Sequence, residues 1–524
     1  MLTLVSALKR NLSQAGDRSA IFNDGRRMTW AELIDRIART AAMLLELGVT
    51  RGSTFGLVTR NSPRCFELMH AGYWIGAIPV PINFRLAAPE IAFILEHANC
   101  SLVGVESPFM AHFNSEPLIR WAGRVLSLDE TPGTSGQSCQ ALLASAQPVD
   151  AIDPDESDVA LVLYSGGTTG KSKGVPLTHR NIISNALQVS SRFHFSADEI
   201  FLHVAPMFHS ADLLGTGVTL QGGSHAFLPQ FSPDEFMRAV EQCRVTRTML
   251  APTMVMAILA AEGARDHDCS SLRQLIYGSS PMPTPAIRQL LERFPGVDLT
   301  QGYGLTETSP LLTVLTMKDH VSSLVGDPCE RLRSAGQALP GVELRITDQH
   351  GRDVPSGASG EIRARGPNIS PGYLNAPDET AQAFVDGWFR TGDVGRLDAN
   401  GYLTILDRCK DMIITGGENV YSVEVEAILA LHPKVSEVAV IGVSDERYGE
   451  ALLAVVVCRP GVQVTIEELV THCRQHIGGY KIPRLLEVVP ELPRSALGKV
   501  LKTRLRQEYA ADRAAGQYGE QANF

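Results

Sequence analysis

The residues best equipped for chemistry cluster in one stretch, Tyr164-Ser165-Gly166-Gly167-Thr168-Thr169-Gly170-Lys171-Ser172-Lys173-Gly174. Four glycines leave the backbone open to close approach. Four hydroxyls and the free N–H groups donate hydrogen bonds, and two lysines add positive charge. Donors, cations and little bulk are what a polyphosphate requires. The stretch is a poor Walker A loop. Gly170-Lys171-Ser172 supplies the end of that motif, but its first glycine falls on Ser165. A second stretch, Gln301-Gly302-Tyr303-Gly304-Leu305-Thr306-Glu307-Thr308, offers a flat ring at Tyr303 and a hydroxyl at Thr306. Its Glu307 carboxylate suits a hard cation such as Mg2+, which takes oxygen ligands and substrate phosphates. Gly387-Trp388-Phe389-Arg390-Thr391-Gly392-Asp393 ends on a carboxylate able to accept two ribose hydroxyls, or equally to close an Asx turn. Residues 407–419, which contain Arg408, Lys410 and Gly416-Gly417-Glu418, form a further dense cluster. In Pro493-Arg494-Ser495-Ala496-Leu497-Gly498-Lys499, Gly498 provides a turn that can present Lys499.

The elements that must position these groups follow from periodicity. An apolar run at 158–164 reads as a buried strand ahead of the first loop, and 175–181 has turn and helix-start character. Thr29 to Glu32 is a capping box, with Leu33, Ile37, Ala41, Leu44 and Leu45 at helical spacing and Gly48 closing the helix. Strands at 54–58, 78–80 and 101–105 alternate with helices at 63–71 and 89–97. Strands at 200–205, 246–251, 274–278 and 297–302 continue the alternation, and Ser232 to Glu235 is a second capping box. This βα pattern implies a largely parallel sheet covered by helices, whose ligands bind at strand ends. Near residue 335 the texture changes to β alternation with turn signals, the mark of a small antiparallel sheet or barrel. A compact α+β unit begins near residue 410, with a helix opened by Thr465 to Glu468. The polar tail beyond Tyr509 is expected to fray.

Composition narrows the function classes. The chain has 524 residues and a net charge of −10 spread without a basic block, which argues against nucleic acid as the main partner. No apolar run approaches the ~18 residues of a membrane span. The basic residues near the N-terminus follow the apolar run, the wrong order for a signal peptide. Nine cysteines without a Cys-x-x-Cys pair argue against structural zinc and a disulfide framework, and point to a reducing cytoplasm.

In order and spacing, 164–174, 301–308, 387–393, 407–419 and 493–499 resemble the core motifs of the class I adenylate-forming superfamily, which includes acyl-CoA synthetases, peptide-synthetase adenylation domains and firefly-type luciferases. The resemblance runs from about residue 10 to 505. It implies an α/β fold: a large N-terminal domain (1–409) of layered αβ subdomains with a small β-barrel-like subdomain, and a small mobile α+β C-terminal domain (410–524). It implies that Ser165, Gly166, Gly167, Thr168, Thr169, Gly170 and Lys173 hold the β- and γ-phosphates of ATP. Gly278, Ser279, Ser280 and Gly302 would line the adenine and acyl pocket, and Tyr303 would stack on adenine. Thr306 would touch the α-phosphate, Glu307 with Thr168 would bind Mg2+, and His209 would sit beside the acyl group. Asp393 and Arg408 would hold the ribose, and Lys499 would bridge the carboxylate and the α-phosphate. Lys410 is the implied hinge, Gly416, Gly417 and Glu418 would face the pantetheine arm, and Tyr480 and Arg484 are candidates for the coenzyme A nucleotide. Departures from the family pattern are mild. Gly166 stands for a usual serine, Ser172 for a common proline, Arg494-Ser495 for a commoner Lys-Thr, and Ser422 for a frequent proline.

The implied reaction is that of an acid–CoA ligase. A carboxylic acid is activated by ATP to an acyl-adenylate and pyrophosphate, and a thiol then displaces AMP. The implied small-molecule partners are the acid, ATP and coenzyme A, with no integral membrane segment; a homodimer stays open. The acyl windows, 203–216, 276–281 and 303–310, carry no arginine and are mostly apolar or small. A second carboxylate would be buried without a partner, and Asp212 would repel it if it faced the pocket. A monocarboxylic acid with an apolar body, fatty or aryl, is therefore expected. A ligase loading a carrier-protein pantetheine is the alternative enzyme. A dead nucleotide-binding scaffold is disfavoured by the joint presence of Lys499, Glu307 and Asp393.

Overall fold

A computed structural model describes residues 2–23, 25–129, 137–165, 172–261, 267–280, 282–325, 331–416, 418–445, 447–494 and 500–514. The chain divides into two compact units. The first comprises 1–344, 364–389 and 401–403, the second 345–363, 390–400 and 404–524.

The first unit is built on a nine-stranded sheet. Its order is Gln337–Ala338, Thr313–Leu315, Asp298–Tyr303, Gln274–Gly278, Arg247–Leu250, Ile200–His203, Ser224–Phe227, Ser19–Asn23, Arg26–Thr29. The six strands from Asp298–Tyr303 to Ser19–Asn23 run parallel, and antiparallel strands close both flanks. Central parallel strands are covered on both faces, so they read as continuous apolar runs; Gln274–Gly278 and Arg247–Leu250 are buried throughout. A second sheet of five parallel strands, Ile78–Pro81, Thr54–Val58, Cys100–Val105, Val125–Ser127 and Gln137–Ser138, carries the first βα units.

Local signals set the helices of this unit. Thr29 accepts the Glu32 N–H and Glu32 returns the bond, so the helix Trp30–Glu46 starts where the capping box requires. It buries Trp30, Leu33, Ile37, Ala41 and Leu44 along one stripe. The helix Pro63–Ile75 runs a turn beyond its expected end and stops at Gly76, whose φ of 70° suits glycine. At Ser232 the hydroxyl caps the Glu235 N–H and Pro233 takes the first helical position.

The second unit contains the sheet Glu418–Val420, Ile413–Thr415, Gly449–Cys458, Val435–Asp445, with Leu485–Val488 parallel to Gly449–Cys458. The helices Ser422–Leu429, Ile466–Arg474 and Lys502–Ala514 belong to it. The last of these continues past Tyr509, where fraying was expected. A further five-stranded sheet, made of Glu343–Thr347, Gly360–Arg365, Trp388–Leu397, Phe384–Val385 and Leu403–Arg408, lends residues to both units. It falls where a small sheet is expected after residue 335, and its Phe384–Val385 strand pairs antiparallel with Trp388–Leu397.

Candidate active site

In the first unit the strand Val159–Ser165 pairs antiparallel with Lys173–Thr178, placing Ser165 opposite Lys173 and Tyr164 opposite Gly174. The glycine-rich loop thus connects two paired strands, and the helix begins only at His179, capped by Thr178 and Asn181. The expected turn at 175–181 is in large part this second strand. Pro176 can sit in it because a two-stranded sheet has only edge strands. Of the loop residues, Gly166, Gly167, Thr168, Thr169 and Gly170 lie outside the described residues.

Two parallel strands end side by side at the site, at the carboxyl edge outside which open α/β sheets bind their ligands. Gly278 pairs with Gly302, and a Cβ on Gly278 would lie 2.4 Å from the Gly302 carbonyl oxygen. No other residue fits so close an approach. Just beyond, Ser279 has φ of 70° and Ser309 has φ of 62°. Non-glycine residues in this region are uncommon and strained, and they gather at functional sites. Ser279 and Ser280 are exposed, whereas Tyr303 and Thr306 are half-buried.

Glu307 lies in the short 3-10 helix Thr306–Thr308 and is buried. Its Oε1 accepts the Tyr373 hydroxyl at 3.0 Å, and the Lys173 Nζ stands 4.8 Å from the centre of the Tyr373 ring. Glu307, Tyr373 and Lys173 therefore form one group of anion, hydroxyl and cation. Tyr373 escaped the sequence analysis; its signal is an aromatic directly after the turn dipeptide Pro371-Gly372. Among the described residues no cluster of three acidic, histidine or cysteine side chains could cage a metal. One buried carboxylate beside hydroxyls fits Mg2+ held jointly with substrate phosphates.

Thr306 Oγ1 lies 3.5 Å from Ser210 Oγ. Ser210 opens the 3-10 helix Ser210–Gly215, capped by His209, whose Nδ1 accepts the Ala211 N–H at 3.2 Å. That bond leaves the ring proton on Nε2. Burial depresses the His209 pKa to about 4, against a smaller opposing pull from Asp212, so the ring is neutral at physiological pH. Asp212 itself is buried, with Oδ1 2.6 Å from His203 Nδ1. The His203 Nε2 meets His225 Nδ1 at 2.9 Å, and His225 Nε2 meets Thr219 Oγ1 at 3.1 Å. Asp212 thus anchors a polar chain through the core.

These histidines give a stability prediction. Burial lowers His70, His179 and His209 from 6.5 to about 4, and holds His225 well below its ordinary value. Between those values the unfolded chain binds more protons than the folded one, so stability rises with pH. It is fully present above about pH 6.5 and is lost as pH falls toward 4. The urea midpoint should therefore drop steeply from pH 7 to pH 4.5; a flat midpoint there would contradict the buried neutral rings.

In the second unit Asp393 is buried and pairs with Arg408, Oδ1 to Nε at 2.8 Å. The Asp393 N–H donates to Thr391 Oγ1 and the Cys409 N–H to the Gly392 carbonyl, fixing the strands that present the pair. Lys410 is exposed one residue further on. Residues 416 and 417 join Ile413–Thr415 to Glu418–Val420, with Thr415 opposite Glu418. Gly416 has φ of 60° and donates its N–H to the Tyr448 carbonyl at 2.8 Å. The Arg484 guanidinium lies 4.1 Å above the Tyr448 ring, so Arg484 and Gly416 share a neighbour. Tyr480 is exposed. Beside it a surface cavity of about 260 Å3 is lined by Arg474, Ile477, Gly479, Ile482 and Arg484. Gly417 and Lys499 lie outside the described residues.

Residues 8–374 match the model of the AMP-binding enzyme family, and 424–499 match the AMP-binding enzyme C-terminal domain. The chain is 37% identical over 493 residues to a feruloyl-CoA synthase of Amycolatopsis sp, covering 94% of this chain and 96% of the relative. It is 36% identical over 496 residues to an indoleacetate–CoA ligase of Aromatoleum aromaticum, covering 94% and 95%. Among solved structures, ATP-bound MatB from Rhodopseudomonas palustris superimposes with a TM-score of 0.86 at 30% identity, covering 97% of this chain and 99% of that one.

Proposed function

The chain belongs to the AMP-binding enzyme family, within the class I adenylate-forming superfamily, and from that premise we propose that it is an AMP-forming acid–CoA ligase. It binds ATP, Mg2+, coenzyme A and a small carboxylic acid. The observation that carries this reading is the group of Glu307, Tyr373 and Lys173, taken with the paired glycines Gly278 and Gly302. Relatives named for feruloyl and indoleacetate support an aryl monocarboxylic acid as the first substrate to try.

In the first half-reaction a carboxylate oxygen attacks the α-phosphate of ATP, and pyrophosphate leaves. Both partners are anionic, so the barrier is largely electrostatic. Mg2+, when bound, neutralises phosphate charge. Glu307, together with Thr168, would hold it. Ser165, Gly166, Gly167, Thr168, Thr169, Gly170 and Lys173 grip the departing phosphates, Thr306 contacts the α-phosphate, and Tyr303 stacks on adenine against Gly278–Ser280. His209, neutral and carrying its proton on Nε2, stands beside the acyl group as a donor without charge. Lys499 bridges the carboxylate and the α-phosphate. In the second half-reaction the coenzyme A thiol attacks the acyl carbon and AMP leaves.

The second step requires Lys499 to withdraw, which residues 410–524 achieve by turning about Lys410 relative to 1–409. Gly416, Gly417 and Glu418 then flank the pantetheine arm, with Tyr480 and Arg484 toward the nucleotide. No helix among the described residues is long and apolar enough to cross a membrane. A cytoplasmic setting fits the eight free cysteines among them.

Asp393→Ala gives a specific check. The carboxylate loses two charge-assisted bonds to the ribose, worth ~1.5–3 kcal/mol each, so kcat/KM for ATP should fall by roughly 100-fold or more while KM for the acid stays within about twofold. Equal ATP kinetics in the variant would remove Asp393 from the ribose site. The reading as a whole is tested by pyrophosphate release over a panel of aryl and fatty acids, with coenzyme A or a holo-carrier protein as acceptor. The ligase reading expects turnover with free coenzyme A. Turnover with the carrier alone would favour the carrier-loading enzyme instead.

A further inference from the structure

Residues 367–375 stitch the strand that leaves the phosphate loop to the segment that carries Glu307. Asn181, at the end of that strand, donates Nδ2 to the Pro367 and Ile369 carbonyls, both at 2.8 Å. Asn368 Nδ2 donates to the Thr308 carbonyl at 2.8 Å and to the Leu311 carbonyl at 3.1 Å. Ser370 gives its N–H to the Glu307 carbonyl at 2.8 Å, and its hydroxyl lies 2.8 Å from the Pro176 carbonyl. Leu374 gives its N–H to the Gly174 carbonyl at 2.8 Å. Asn368 and Ser370 are buried. Buried polar groups are costly to leave unpaired, so these bonds fix the path of the segment.

Tyr373 is delivered by this path. Its N–H donates to Thr380 Oγ1 at 2.9 Å, and its ring meets the Phe384 ring edge to face at 5.8 Å. Its two functional parts then face two different partners. The hydroxyl lies 3.0 Å from Glu307 Oε1. Burial, and after it the charge of Glu307, pushes the phenol's ionisation upward, so the group keeps its proton and donates to the carboxylate. The ring face lies under Lys173 Nζ at 4.8 Å. Among the described residues Lys173 makes no ion pair. A ring face attracts an ammonium without cancelling its charge, which stays available to an anion. A carboxylate in the same place would neutralise it.

We propose that Tyr373 is a positioning residue for adenylation: its hydroxyl sets the Glu307 carboxylate for Mg2+, and its ring sets the Lys173 ammonium for the phosphates. One side chain so aligns the metal ligand with the end of the phosphate loop. This rests on the reading above of Glu307 and Lys173 as ligands of Mg2+ and of the β- and γ-phosphates. Neither part of Tyr373 acts on the acid or the thiol.

The test uses the full-length chain with Tyr373→Phe, which removes only the hydroxyl, and Tyr373→Leu, which removes the ring as well. Mn2+ stands in for Mg2+, since both suit oxygen ligands. Mn2+ binding to the enzyme with α,β-methylene-ATP, which is not cleaved, is read by electron paramagnetic resonance. It should weaken by roughly 10-fold in Tyr373→Phe, the usual cost of losing a partner that orients a metal ligand. Binding of the metal-free nucleotide, read by calorimetry, should stay within about twofold in Tyr373→Phe, where Lys173 keeps its ring, and weaken about threefold or more in Tyr373→Leu. Tyr373→Met takes the place of Tyr373→Leu if the latter does not fold. In acid-dependent pyrophosphate exchange the half-saturating Mg2+ should rise by roughly 10-fold in Tyr373→Phe, with KM for the acid unchanged. Unchanged Mn2+ affinity in Tyr373→Phe, or equal loss of metal-free nucleotide in both variants, would overturn the proposal and leave the ligase reading standing. Wild-type enzyme that exchanged pyrophosphate with no acid of the panel would instead overturn that reading and this inference with it.

Discussion

Replacing Lys499 by alanine is expected to abolish acyl-adenylate formation while sparing thioester formation from supplied acyl-AMP. In the first step a carboxylate approaches a phosphate already surrounded by negative oxygens. A single ammonium placed between them is worth most at the moment of attack, when charge builds on the bridging oxygens. Removing one preorganised donor of this kind typically costs ~10²–10³ in kcat, and a full positive charge sits at the upper end. The thiol attack on acyl-AMP joins a different nucleophile to the acyl carbon, and the electron pair of the broken C–O bond leaves on the AMP phosphate after Lys499 has withdrawn, so this step does not draw on its ammonium. The comparison is a pyrophosphate-exchange assay beside a thioester assay started from synthetic acyl-AMP. Equal loss in both would mean that Lys499 supports the fold or a shared binding step.

Lys410→Pro should give the mirror image. Proline fixes φ near −65° and stiffens the residue before it, so the rotation that removes Lys499 is blocked while the adenylating arrangement survives. Lys410 is exposed, and the hydrogen bonds of this turn come from Asp411 and Met412 to the Arg408 carbonyl. The substitution therefore acts on backbone freedom and not on side-chain packing. The expected signature is a burst of pyrophosphate equal to the enzyme present, bound acyl-AMP, and acyl-CoA formation slowed by about 100-fold or more. Lys410→Ala, which leaves φ free, should turn over nearly as wild type. Full turnover in the proline variant would place the hinge elsewhere.

Much of this architecture is legible in the residues because its signals are local. Thr29 with Glu32 and Thr465 with Glu468 announce helix starts through bonds that span three residues. Apolar runs such as 274–278 mark buried parallel strands. What escaped depends on partners far along the chain. The strand Ser19–Asn23 joins the main sheet by pairing with Ser224–Phe227, some two hundred residues away, and nothing within either run signals that union. Lys173–Thr178 looked like a turn because Gly174 and Pro176 are turn residues; only its pairing with Val159–Ser165 makes it a strand. Asp212 looked like a guard against a second carboxylate, but its carboxylate is engaged by His203. Tyr373 reached Glu307 through tertiary packing across 66 residues, and no spacing rule links them.

The claim on which everything else depends is that the carboxylate of the substrate attacks the α-phosphate of ATP. It is tested most directly by supplying an accepted acid labelled with 18O in both carboxylate oxygens, with ATP, Mg2+ and coenzyme A, and weighing the products. One labelled oxygen becomes the bridge of the acyl-adenylate and departs with AMP when the thiol displaces it, so each AMP should carry one 18O and each acyl-CoA should retain the other. Label in inorganic phosphate with formation of ADP, or AMP without label, would contradict the account.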